Sequence, residues 1–313
     1  MHKAITWLAL ASTTAMLIGS ALGHEVGAWA GASPAPAERS EVAVAEFDGK
    51  AYVIGDYNGA TDLLIYDMAT DSWSVGAPFP YPVHHTAAAA YKGVVYVFGG
   101  YINGWEASSN VWAYIPDKDI WEPRASIPTP RGAAAAAVID GKIHVISGSS
   151  TWRGNTTAHE VYDPGDDSWT TAAPVPTPRD HLSVVATEGK LVVIGGRVDG
   201  DPSRNLATNQ IYDPTTDSWS EGAPLPTTRS GAAAAALDGE VYVMGGESNT
   251  KVFNDVEAYG VNTDSWTEHP PLPTPRHGFG AAVFDGKIFT MVGSPVVGGG
   301  KSGVVEVYTP GAE

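Results

Sequence analysis

Tryptophan returns along this chain at positions 29, 73, 121, 169, 219 and 266, at intervals of 44, 48, 48, 50 and 47 residues. Ten residues after these stand Arg39, Val83, Arg131, Arg179, Arg229 and Arg276; ten further on stand Gly49, Gly93, Gly141, Gly189, Gly239 and Gly286. A period near fifty with rigid internal spacing marks a unit that cannot bury its apolar face alone and stacks on copies of itself. The spacing predicts an all-β fold, a six-bladed β-propeller, with residues 24–313 as a single domain.

Residues 131–169 show what one period encodes. Arg131 is followed by an alanine-rich run, a turn at Asp140-Gly141 and the β-rich stretch Lys142-Ile143-His144-Val145-Ile146. Ser147-Gly148 ends that stretch, Glu160-Val161-Tyr162 reads as a third strand, and Ser168-Trp169-Thr170 opens a fourth. Short runs punctuated by Gly, Pro and Asp predict an antiparallel meander. Alanine tracts at residues 87–90, 133–137 and 232–236 suit first strands that converge on an axis, where bulky side chains would collide. The pairs Gly99-Gly100, Gly195-Gly196 and Gly245-Gly246 end second strands, where a bend with positive φ suits glycine. Tyr66, Tyr114, Tyr162, Tyr212 and Tyr259 each precede a Trp by seven residues, a pairing expected to pack between blades.

The two ends of the chain are incomplete in complementary ways. The last repeat has Arg276, Gly286 and Tyr308 but no following Trp, whereas Trp29 has no preceding Tyr. Residues of about 26–33 are therefore expected to form the outer strand of the sixth blade, so that the N-terminal strand closes the ring. Before it, Lys3, the apolar run of residues 5–18 and Ala21-Leu22-Gly23 read as a signal peptide spanning residues 1–23, which predicts a secreted or periplasmic protein. No other stretch is long enough to cross a bilayer, so no stable membrane insertion is expected after cleavage. A formal charge of −17 without a basic stripe argues against nucleic acid, and the absence of cysteine excludes disulfides and thiolate chemistry.

The Gly-Gly after a hydrophobic strand, the Tyr and Trp seven apart, and the Pro-x-Pro-x-x-Arg segment entering each blade together resemble the kelch-repeat family. The resemblance covers nearly all of residues 24–313 and implies a β-propeller whose ligands meet one loop face. On that face the residues after each arginine position are Ser40-Glu41, His84-His85, Gly132-Ala133, Asp180-His181, Ser230-Gly231 and His277-Gly278. If these loops approach the axis, His84, His85, His181 and His277 converge with Asp180 and Glu41, a set able to act as general acid and base or to hold a divalent metal. No metal or cofactor is assigned. Trp105 and Trp152 lie outside the sixfold pattern on neighbouring loops and suit stacking on a sugar ring or anchoring a protein. Arg153, Arg197 and Arg204 are cations for a carboxylate ligand or for local pairs with Asp199 or Asp201, and the repeated arginines read as scaffold.

These readings predict an exported binding module for a protein or carbohydrate ligand on the loop face, without catalysis. The alternative is a sugar-modifying enzyme resembling the sialic-acid mutarotase and epimerase, also an exported kelch propeller, with Glu41, His181 and Arg197 as acid/base and cation. A closed pocket lined by His181, Asp180 and Arg197 would favour the enzyme, and a flat aromatic face the binding module. A copper radical oxidase is excluded because its crosslinked cofactor needs a cysteine, and the Glu-x-x-x-Asp-x-x-x-His arrangement of iron-dependent kelch proteins is not present.

Overall fold

Six four-stranded antiparallel sheets succeed one another around an axis in a computed structural model that describes residues 27–151 and 153–311. The signal-peptide reading of residues 1–23 falls outside these residues. Blade one holds Ala43–Phe47, Lys50–Ile54, Leu63–Asp67 and Ser72–Gly76, running outward from the axis in chain order. Blades two to five repeat this plan, and their innermost strands touch one another in a closed ring with those of blades one and six. No helix among the described residues is long and apolar enough to cross a membrane.

The first two strands of each blade are joined by two residues with positive φ, such as Asp48-Gly49, Asp140-Gly141 and Asp238-Gly239. That conformation matches the twist of paired strands and favours Asp-Gly. The innermost strands are Ala87–Tyr91 in blade two, Ala135–Ile139 in blade three and Ala233–Leu237 in blade five. Ala133, read from sequence as strand, instead takes a left-handed turn at φ 50°. Its position is needed to turn the chain around the axis.

The aromatic repeat stitches each blade to the one before. Trp169 lies directly across from Tyr162 and donates from Nε1 to the Ala125 carbonyl at 2.9 Å. Tyr162 donates to Asp167 at 2.6 Å, and the same carboxylate oxygen accepts from the Ala125 N–H at 2.8 Å. Blades one, two, four and five repeat these bonds around Trp73, Trp121, Trp219 and Trp266. In the sixth blade Ala28–Gly31 runs antiparallel to Val305–Thr309, with Trp29 opposite Tyr308 and its Nε1 donating to the Pro270 carbonyl at 2.8 Å. Gly27 takes the place of the aspartate there: a Cβ on it would lie 2.1 Å from the Tyr308 hydroxyl, which instead meets His269 Nδ1 at 3.0 Å.

The repeated arginines are structural. Arg131, Arg179, Arg229 and Arg276 are almost wholly buried. Arg131, Arg229 and Arg276 pair with Glu160, Glu257 and Glu306 on the third strand of their blades. In blade four the glutamate is replaced by Gln210, whose Oε1 accepts from Arg179 at 2.7 Å. Blade two substitutes both partners, Val83 and Trp112, which join an apolar cluster. In blade two the cation and its acceptor are thus lost together, whereas blade four keeps its arginine on the neutral Gln210, and Arg39 of blade one, with Leu64 at the glutamate position, reaches Asp62 at 3.6 Å instead.

Candidate functional site

The two residues after each arginine position build the mouth of the propeller. The first of each pair forms an isolated antiparallel bridge to the residue after the glycine pair: His84 to Tyr101, Gly132 to Ser149, Asp180 to Arg197, Ser230 to Glu247 and His277 to Ser294. In blade one the Tyr57 N–H donates to the Ser40 carbonyl at 3.0 Å. The second glycine cannot carry a side chain, because a Cβ on Gly196 would lie 2.8 Å from the Asp180 carbonyl oxygen.

The second residues are Glu41, His85, Ala133, His181, Gly231 and Gly278, all left-handed with φ of 53°, 52°, 50°, 54°, 64° and 59°. Each N–H donates to the carbonyl at the same position in the preceding blade, at 2.7 Å for Glu41 onto Gly278 and 2.8 to 3.0 Å for the rest. The result is a closed belt of six backbone hydrogen bonds around the axis. It aims the Glu41, His85 and His181 side chains into the mouth, with the Glu41 carboxylate over Gly278, where a Cβ would meet it at 2.7 Å.

Around this belt the charged groups are tightly interlocked. His181 Nδ1 donates to Asp180 Oδ1 at 2.5 Å, and its Nε2 accepts from Arg197 Nη2 at 2.7 Å. Arg197 also meets Glu247 Oε1 at 2.7 Å and Asp180 Oδ1 at 3.4 Å. Glu41 lies between His85 Nε2 at 3.1 Å and His277 Nε2 at 3.3 Å, and His277 stands 3.5 Å from Glu247. Asp180 further accepts from Asn155 Nδ2 at 2.6 Å and the Gly200 N–H at 2.8 Å. One ligand atom from each of Glu41, His85 and His181 lies within 4.8 Å of the others, so these three could hold a metal ion.

Burial and pairing set the charges. Burial resists ionisation of Asp180, but the hydrogen bonds from His181 and Asn155 and the charge of Arg197 hold it at about 2. Burial likewise opposes ionisation of Glu41, yet His85 and His277 keep it well below the usual carboxylate range. Burial, helped by Arg197, draws His181 down to about 4, leaving a neutral imidazole near neutral pH. His277 goes the other way: burial disfavours its cation, but Glu41 and Glu247 prevail and lift it.

An aromatic rim stands over this floor. Tyr57 and Trp105 meet edge-on with centroids 6.1 Å apart, and Trp105 packs against His84 at 5.0 Å and His85 at 5.3 Å. His84 is fixed by its Nε2 donating to the Gly104 carbonyl at 2.8 Å. A cavity of about 180 Å³ opens between rim and floor, lined by Tyr57, Trp105, Glu41, His85, Arg197 and Glu247 among others.

Of the residues singled out from sequence, His84, His85, Asp180, His181, His277, Trp105 and Arg197 gather at this mouth. Arg153 does not: it is exposed at the tip of the ribbon formed by Ser149–Thr151 and Gly154–Asn155, outside the cavity lining. Trp152 lies outside the described residues. Arg197 pairs with Asp180 and Glu247 rather than with Asp199 or Asp201, and Arg204 takes Asp199 at 2.7 Å. Sequence reasoning missed Tyr57 and Glu247. Both sit three residues after the end of a second strand, as Tyr101 and Arg197 do, so that recurring position was the available signal.

A family profile described as the Attractin/LZTR1 beta-propeller matches residues 47–306. No curated protein matches the chain. Among solved structures, one titled "Structure of YjhT" superposes with a TM-score of 0.79 at 17% sequence identity, covering 88% of this chain and 95% of that one. That likeness shows the fold.

Proposed function

Because this chain belongs to the Attractin/LZTR1 β-propeller family and its repeated residues are consumed in joining blades, we propose that its mouth is an exported binding site for an uncharged carbohydrate. The observation that carries this reading is the cavity of about 180 Å³ with an aromatic wall, Tyr57 and Trp105, over a polar floor of Glu41, His85, Arg197 and Glu247. Sugar rings offer apolar faces to aromatic side chains and hydroxyls to carboxylates and imidazoles, a division of labour this wall and floor supply. A concave cavity of this size suits one or two sugar units better than a broad protein surface. An acidic sugar is disfavoured: the guanidinium of Arg197 is already engaged by two buried carboxylates, and Glu41 adds a third negative charge.

The test is a glycan array probed with the mature protein, followed by fluorescence titration of retained sugars. We expect neutral glycans to be held and Trp105→Ala to weaken them at least tenfold with the fold intact. Retention by a protein ligand with no glycan held, or an indifferent Trp105→Ala, would overturn the reading. One observation favours a second reading, sugar modification. The Glu41 carboxylate and His85 imidazole stand 3.1 Å apart in the cavity wall, where they could exchange a proton with a bound hydroxyl. Following any retained sugar by NMR for anomer or epimer interconversion separates binding from turnover.

A further inference from the structure

We infer that the axial belt is a binding site for a divalent transition metal, held by His85 Nε2, His181 Nε2 and a Glu41 carboxylate oxygen. The argument begins with which ring nitrogens carry protons. His84 Nε2 faces the Gly104 carbonyl and must donate to it, so a neutral His84 offers Nδ1 as an acceptor. His85 Nδ1 stands 2.6 Å from that atom and fills the donor role. A neutral His85 then turns a lone pair at Nε2 toward Glu41 Oε2, 3.1 Å away. Two lone pairs at that distance need a cation between them, either a proton or a metal.

His181 has the same polarity. Its Nδ1 donates to Asp180, so the Nε2 lone pair is the atom presented to the axis. Both imidazoles are thus gripped on the outer nitrogen, by His84 and by Asp180, while the inner Nε2 of His85 faces Glu41 and that of His181 accepts from Arg197. Carboxylate-supported histidines at metal centres have this arrangement, the outer bond fixing the tautomer and the ring orientation. The two rings stand edge to face with centroids 4.8 Å apart, across the position occupied by Ala133.

Distances and charge are compatible with an ion. The three ligand atoms lie within 4.8 Å of one another. Bonds of about 2.0–2.2 Å to zinc put tetrahedral ligand atoms about 3.4 Å apart, so side-chain rotation must close the set by about 1.4 Å. Asp180 and Glu247 add negative charge beside it, against Arg197 and His277. Two imidazoles and one carboxylate select zinc and its transition-metal neighbours over calcium or magnesium. Arg197 competes for the ion, since its Nη2 occupies the His181 lone pair at 2.7 Å. An incoming ion displaces that one contact, while Glu247 and Asp180 retain the guanidinium.

The site is tested without any sugar, so its outcome is separate from that of the carbohydrate reading. Chelator-treated protein is titrated with zinc alone by calorimetry, expecting one ion per chain. His85→Gln and His181→Gln should each weaken binding by about tenfold or more, and Arg197→Met should tighten it. Wild-type protein loaded with Cu²⁺ should show two imidazole nitrogens by pulsed electron paramagnetic resonance, a readout that needs no variant to fold. Failure to bind zinc, unchanged affinity in either folded histidine variant, or a copper signal without imidazole would overturn the site and leave a shared proton between Glu41 and His85.

Discussion

Acid should weaken this propeller through two histidines remote from its mouth. His144, on the second strand of blade three, donates from Nδ1 to His159 Nε2 at 2.7 Å, and His159 Nδ1 donates to the Ala173 carbonyl at 3.1 Å. Both rings are buried, and His159 stands edge-on to Tyr212 with centroids 4.5 Å apart. Burial holds His144 at about 3, reinforced by the charge of His159, and holds His159 at about 4. An unfolded chain returns both to about 6.5. The folded values lie below the unfolded ones, so the unfolded state takes up protons that the folded state refuses. The stability is complete above pH 6.5 and is lost as pH falls from 6.5 toward 4. At pH 5 the pH lies about 1.5 units below the unfolded value of each histidine, which removes about 2 kcal/mol for each, or about 4 kcal/mol together. A chain of this size unfolds with an entropy of about 0.6 kcal/mol/K, so each kcal/mol lowers Tm by about 1.6 °C and the fall is about 6–7 °C. The assay is a pair of calorimetric melts at pH 7.5 and pH 5 on the wild type and on the His144→Leu/His159→Leu double variant. The Ala173 carbonyl keeps the Trp219 donor at 2.9 Å in that variant, so no buried acceptor is orphaned. Subtracting the two pH shifts removes the contributions of His84, His181 and His277. An equal drop in both proteins would refute the reasoning.

The blade arginines offer a graded test. Glu257→Gln should cost only about 1 kcal/mol, because Gln210 already serves Arg179 in that role, whereas Glu257→Ala strands the buried Arg229 and should cost about 3–5 kcal/mol in thermal or denaturant unfolding. Trp29→Ala should lower the melting temperature as much as Trp169→Ala, by the equivalent of about 3 kcal/mol, since each loses a ring packed 5.1 Å from its tyrosine and a carbonyl partner on the preceding blade. A silent Trp29→Ala in the same melts would argue that blade six is held by something other than its outer strand.

Much of the fold was legible because a propeller repeats its chemistry. Tyr162 and Trp169 perform the same task as their counterparts in four other blades, so spacing alone exposes them, whereas the role of Asp167 emerges only from its hydrogen bonds to Tyr162 and Ala125. The angular positions of His85, His181 and Glu41 were legible for the same reason. Their convergence was not, because it depends on left-handed backbone at three residues that do not favour it, and on a belt of hydrogen bonds that no local pattern encodes. Glu247 escaped notice for a related reason. It has no sequence neighbour in the site, and meets Arg197 from 50 residues away because adjacent blades bring their second-strand ends side by side. Arg197 shows the limit most clearly. The sequence reads it as a cation for a carboxylate ligand or for a local pair with Asp199 or Asp201, and only the fold reveals that Asp180 and Glu247 take its charge.

The belt also separates scaffold from function on energetic grounds. Gly231 and Gly278 show what a left-handed turn at this position prefers, and Ala133 shows that a plain methyl is tolerated. A side chain with a Cβ in that conformation costs about 1 kcal/mol over glycine. Glu41, His85 and His181 accept that cost, and each then brings a polar group into a largely buried space, which adds desolvation. Neither expense is needed to close the belt, since glycine or alanine closes it in the other three blades with hydrogen bonds of the same length. The paired residues deepen the contrast: Gly132 and Ser230 occupy the position at which His84, Asp180 and His277 stand. Where belt closure is satisfied by the smallest residues, the large ionisable ones are the positions at which the proposed mouth site is best tested. A chain in which Glu41, His85 and His181 are all replaced by glycine should therefore keep its fold while losing every ligand the mouth holds.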